Sequence, residues 1–118
     1  MGLLSKMLGG RPGETAINET IKDAVRVLPG VTGHTLRYNH QPNSSGAVSG
    51  QVEVADSATF LEVLRVLRRT LGPLLGKGAD GVTFYLTGRT PDGASVAPGD
   101  LGLVQPPTGH EIQRRLLS

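Results

Sequence analysis

Cysteine is absent from the 118-residue chain, which excludes disulfides, thiolate metal sites and cysteine nucleophiles. Tryptophan is absent too, and aromatic residues make up only 3%. That removes most of the stacking platforms used by single-stranded nucleic acids and sugars, and it makes the core aliphatic. No sign of charge dominates: 12 lysines and arginines stand against 10 acids, a formal charge of +2. So small an excess does not drive nucleic-acid binding through phosphate neutralisation, and nucleic acid is not an expected partner. No apolar run approaches the roughly 20 residues a membrane span requires, and the opening MGLLSKMLGGRPG has too short an apolar run for a signal peptide. Lys6 stands where the N-myristoylation pattern calls for Ser or Thr. The expected location is cytoplasmic, and the length is that of one domain able to bury roughly two-thirds of its unfolded surface.

What is present is a clear alternation of periods. Residues 1 to 13 form a glycine-rich arm closed by Gly-Arg-Pro-Gly. From Thr15, a candidate cap, Ile17, Ile21, Ala24, Val25 and Leu28 recur at helical spacing until Pro29-Gly30, with Asn18, Glu19, Lys22, Asp23 and Arg26 turned away. His34, Leu36 and Tyr38 then alternate with Thr35 and Arg37 as a half-buried strand, and NHQPNSSG reads as a loop of turn formers. A second strand sets Val48, Gly50, Val52 and Val54 against Ser49, Gln51 and Glu53. Asp56-Ser57 opens a long helix over residues 57 to 71, striped by Phe60, Leu61, Leu64, Leu67 and Leu71 and broken at Gly72-Pro73. After the connector GKGADG comes a third strand with Val82, Phe84 and Leu86 inward, then the hairpin turn Thr90-Pro91-Asp92-Gly93 and a short fourth strand over residues 94 to 97. Thr108-Gly-His-Glu111 resembles a capping box opening a tail helix with Ile112, Leu116 and Leu117.

Single-faced helices and alternating strands predict an α+β domain over residues 14 to 104, followed by a tail with a short helix over residues 105 to 118. The expected order is αββαββ plus the C-terminal helix. The expected sheet is four-stranded and antiparallel, in spatial order 2-1-3-4, with two helices on one face. In that arrangement Gly50 lies mid-way along an edge strand on the helix-facing side, where it makes room for a helix or a bend.

The run of helix, Pro29-Gly30-Val31, strand, Gly46-x-Val48-x-Gly50-x-Val52 and helix resembles the BON domain of bacterial proteins over about residues 14 to 88. The chain departs from that family in its long first hairpin loop, its glycine-rich approach to the third strand and its added fourth strand. The resemblance implies an αββαβ fold and an association with phospholipid or the cell envelope, and it carries no catalytic residues over.

No catalytic set emerges from the residue pattern. His34, His40 and His110 lie on a strand, a loop and a tail helix with no shared metal-ligand spacing, and the carboxylates are scattered where Asp usually serves its own backbone. No metal, cofactor or enzymatic activity is expected. GKGADG lacks the spacing of a phosphate loop and comes after a helix instead of a strand. Two features remain as binding candidates. Arg65, Arg68 and Arg69 fall at i, i+3 and i+4 on the long helix, so three guanidinium groups would share one face able to meet an anionic partner. Leu3, Leu4, Met7 and Leu8 with Lys6 would make a short amphipathic arm for a membrane or a partner. The exposed sheet face adds Arg37 and Tyr85. Two functions are expected on these grounds: a non-catalytic module that assembles with a protein partner or with itself, and peripheral binding to anionic membrane through the arginine face and the arm.

Overall fold

The computed structural model describes residues 12–42 and 44–117. Helix α1 (Glu14–Arg26) buries Ile17, Ile21 and Val25. Its cap position is held by Gly13, in an extended conformation and without a side-chain acceptor, so Thr15 is a helical residue and not the cap. Strands β1 (Val31–His34) and β2 (Arg37–Gln41) come next, then β3 (Ser44–Val54). The stretch expected as a long loop is therefore mostly ladder: Asn39 pairs with Ala47 and Gln41 with Ser44.

Helix α2 (Ser57–Leu75) starts at Asp56, whose carboxylate accepts from the Thr59 N–H at 2.8 Å. It does not stop at Gly72-Pro73 but continues through Pro73, and Gly76, at φ 58°, closes it by donating to the Gly72 carbonyl. A proline so near the end removes one hydrogen bond and leaves little helix beyond it to disrupt. The connector GKGADG is itself ordered into 3-10 turns over Gly76–Gly81 with Ala79 buried. Strand β4 (Val82–Arg89) turns at Gly93, φ 87°, into the two-residue β5 (Ser95–Val96), and Pro98 ends the pairing by opening a further 3-10 turn. Helix α3 (Gly109–Ile112) runs into a π-helical turn over Gln113–Leu117. Thr108 caps α3, accepting from the Glu111 N–H at 3.2 Å, but the Glu111 carboxylate turns instead to the Val104 N–H and Arg114, so only half of the expected capping box forms.

The class is α+β, with a mixed five-stranded sheet in place of the expected four-stranded antiparallel one, because the expected first strand is split into β1 and β2. β3 is central: β1 and β2 pair antiparallel with it in tandem along one side, and β4 lies parallel to it along the other, with β5 antiparallel beyond. The expected order 2-1-3-4 would have put the strand after the long helix beside β2. That side is closed by α1. The Asn18 carboxamide accepts from the Tyr38 N–H at 2.8 Å and donates to the Tyr38 carbonyl at 2.9 Å, while Glu14 accepts from the His40 N–H at 2.6 Å. With that edge satisfied by side chains, the α2 crossover returns the chain along the free side of β3, as a parallel pair requires.

Gly50 is thus in the central strand, not at an edge. Its φ is +130°, and a Cβ there would stand 2.4 Å from the Thr35 carbonyl oxygen and 3.2 Å from the Leu36 Cα. It makes room for the break between β1 and β2, where Leu36 dips into the core, and not for a helix. The glycine under a helix is Gly88, whose Cβ would lie 2.8 Å from Phe60. One core joins both helices, the inward residues of β2, β3 and β4, and the C-terminal residues Leu103 and Ile112.

Candidate functional site: the open face of the sheet

Helices cover one face of the sheet, and strand alternation sends the remaining side chains to the other. The ladder register arranges them in rows across β2 or β1, β3 and β4. Arg37, Ser49 and Tyr85 share one row, Gln51 and Thr87 the next, and Gly33, Glu53 and Arg89 the third. The two expected site residues on this face, Arg37 and Tyr85, are therefore brought level, one strand apart on either side of Ser49 and about 10 Å from each other by strand spacing. Tyr85 is 58% exposed, one of the most exposed large apolar side chains among the described residues. Arg89 completes the set. The alternation of Val82 to Thr87 runs on past Gly88 to this residue.

Three charged groups thus stand on the face, Arg37, Arg89 and Glu53, and none has an ion-pair partner among the described residues. The Glu53 side chain leans across the neighbouring strand: a Cβ on Gly33 would sit 3.3 Å from its Oε1. A side chain at Gly33 would press on this carboxylate.

The arginine cluster on α2 is not a shared solvent patch. Arg68 retains only 13% of its side-chain exposure, donates from Nε to the Gly109 carbonyl at 3.2 Å and pairs through Nη2 with Asp80 at 2.8 Å. Arg65 donates from Nε to the Leu116 carbonyl at 3.3 Å and pairs with Glu62 at 3.4 Å. Both clamp the C-terminal segment to α2, leaving Arg69 as the exposed member. The arm residues Leu3, Leu4, Lys6, Met7 and Leu8 lie outside the described residues.

The histidines stay apart. His40 meets the buried Tyr38 hydroxyl at 3.0 Å, and His110 is exposed on α3. His34 is half-buried, and burial pushes its pKa down from 6.5, aided by the positive charges of Lys22 and Arg26 on α1. Hydrogen bonds from Thr59 hold the Asp56 carboxyl below the usual range, and the Val104 N–H does the same for Glu111. Asp56 and Glu111 thus serve local structure. Among the described residues no three His, Asp or Glu side chains converge on a metal-sized space, and no helix is long and apolar enough to cross a membrane.

Comparison of the chain with protein-family models, with curated proteins and with solved structures finds no match.

Proposed function

We propose that the chain is a small non-catalytic interaction module that meets a protein partner through the open face of its sheet. The observation that carries this is the contrast between partly closed edges and a bare face. On the β2 side, Asn18 and Glu14 take up the outward backbone groups of Tyr38 and His40. On the β4 side, β5 pairs with Gly88 and Arg89, while the Pro107 carbonyl accepts from the Phe84 N–H at 2.9 Å and Thr108 bridges Thr83. Strand addition is thereby blocked at Tyr38 and His40 on one side and at both ends of β4 on the other. The face between carries arginine and tyrosine, the side chains enriched at protein contacts, with polar neighbours that keep it compatible with water. Peripheral binding to phospholipid, which a BON likeness would bring, draws less support, because Arg65 and Arg68 spend their guanidinium groups on carbonyls of the same chain.

The test is a photo-crosslinking residue placed at Tyr85 or, as a control, at the exposed Thr20 on α1, with illumination of living cells. Discrete protein adducts from position 85 that are missing from position 20 are the expected result. Lipid adducts, or the same adducts from both positions, would remove the face as the contact surface.

A further inference from the structure

The partner's identity can be argued from the pattern of charge on the open face, on the premise that this face is the contact surface. We infer that a second copy of the chain docks on it face to face, about a two-fold axis that crosses the strands through the row of Gln51 and Thr87.

Such an axis keeps each strand over its own copy, running antiparallel, and exchanges the first row with the third. Arg37 then comes to lie over Gly33 of the second copy, which is where the carboxylate of Glu53 rests. Tyr85 comes to lie under Arg89 of the second copy, so a guanidinium meets an aromatic face. Ser49 faces the backbone position of Glu53, and Gln51 and Thr87 face themselves. Each contact occurs twice. All three charged groups that lack an ion pair within the described chain gain an opposite charge or a ring, at a sheet separation of about 10 Å that arginine and glutamate side chains readily span. The other in-plane two-fold, along the strands, would stack the stem of Glu53 on its own copy in the central strand, while each carboxylate, resting over Gly33, would meet Arg89 of the second copy and Arg37 would meet Tyr85. The first axis instead keeps the two Glu53 stems in separate rows, and the charge swaps below distinguish the two arrangements.

The cysteine-free sequence makes the geometry directly testable. Sedimentation velocity of the full chain over a wide concentration range should show a monomer–dimer equilibrium that weakens with salt. Glu53→Arg and Arg37→Glu should each weaken it by about tenfold or more, because like charges then face each other, and the Arg37→Glu/Glu53→Arg double variant should recover most of the loss. Rescue of Glu53→Arg by Arg89→Glu instead would overturn this axis in favour of the one along the strands. Single-cysteine variants give a second reading in an otherwise unaltered face: with a short bismaleimide, Thr87→Cys should link to itself and Ser49→Cys should not, and the reverse pattern refutes the proposal. A wild type that is monomeric at every concentration also refutes it. If position 85 then still crosslinks to another protein in cells, the face remains the contact surface and only its occupant was misassigned.

Discussion

The surroundings of His34 on β1 predict a pH dependence of folding. Its imidazole is half-buried beside α1, where desolvation and the charges of Lys22 and Arg26 all disfavour the protonated form, so its pKa in the folded chain lies below 6.5. The unfolded chain therefore binds the proton more readily, and folding stability, intact above pH ~6.5, falls as the pH drops through the depressed folded value. Urea titrations at pH 7.5, 6.5 and 5.5 should show this loss for wild type and a flatter profile for His34→Gln. Equal slopes for the two proteins would show that the loss arises elsewhere. The period of α1 turns Asn18 toward solvent, yet its carboxamide closes the sheet edge at Tyr38. A helix pattern separates buried from exposed stripes, but it does not tell which residue at the stripe's border faces a strand edge.

At the scale of elements, α2 was the most legible part of the chain. Its Asp56 cap forms, and four residues of its expected stripe, Phe60, Leu64, Leu67 and Leu71, are buried, while Leu61 is only partly so and Val63, outside the expected stripe, is buried. Leu64→Ala should cost about 2 to 5 kcal/mol, read from the urea midpoint, because a fully buried leucine leaves a cavity that neighbours fill only in part. Arg69→Ala, at an exposed position of the same helix, should change stability by no more than about 0.5 kcal/mol. An unchanged midpoint for Leu64→Ala would contradict the packing. The helix end was misjudged because Gly72-Pro73 is a local breaker whose effect depends on the residues after it, and here Gly76 supplies the closing bond. Alternation reveals β3 and β4, but it joins β1 and β2 into one strand across their break at Thr35-Leu36 and misses that the ladder of β3 reaches into a segment composed of turn residues.

The molecule as a whole is more integrated at its C-terminus than a domain with an appended tail. Leu103 and Ile112 enter the same core as the sheet, Gly109 lies so close to the Ala79 carbonyl that a Cβ there would overlap it, and Arg68 ties the two together. Ile112→Ala should therefore lower the midpoint of the whole unfolding transition, with an effect of about 2 to 5 kcal/mol, and calorimetry should still record a single transition. A separate low-temperature transition for the C-terminal segment would argue against a shared core. The same integration redirects Arg65 and Arg68. As a sequence pattern they form a basic face, but in the folded chain their partners are carbonyls 51 and 41 residues onward, which helical spacing does not reveal.

The helices, the faces of β3, β4 and α2 that turn inward, the cap of α2 and the Thr90 to Gly93 turn come from the sequence alone, because each rests on periodicity or on backbone preferences spanning a few neighbouring residues, whereas the split of the first expected strand into β1 and β2 does not. The pairing partners of the strands, the packing roles of Gly50 and Gly88, and the engagement of the arginines were decided only by the tertiary structure. Both arrangements of the sheet bury the same stripes, so hydrophobic pattern does not separate them. What separates them is whether an edge is already satisfied, and here two side chains of α1, 20 and 26 residues from the backbone groups they bind, determine that β4 joins β3 and leaves one polar face of the sheet open.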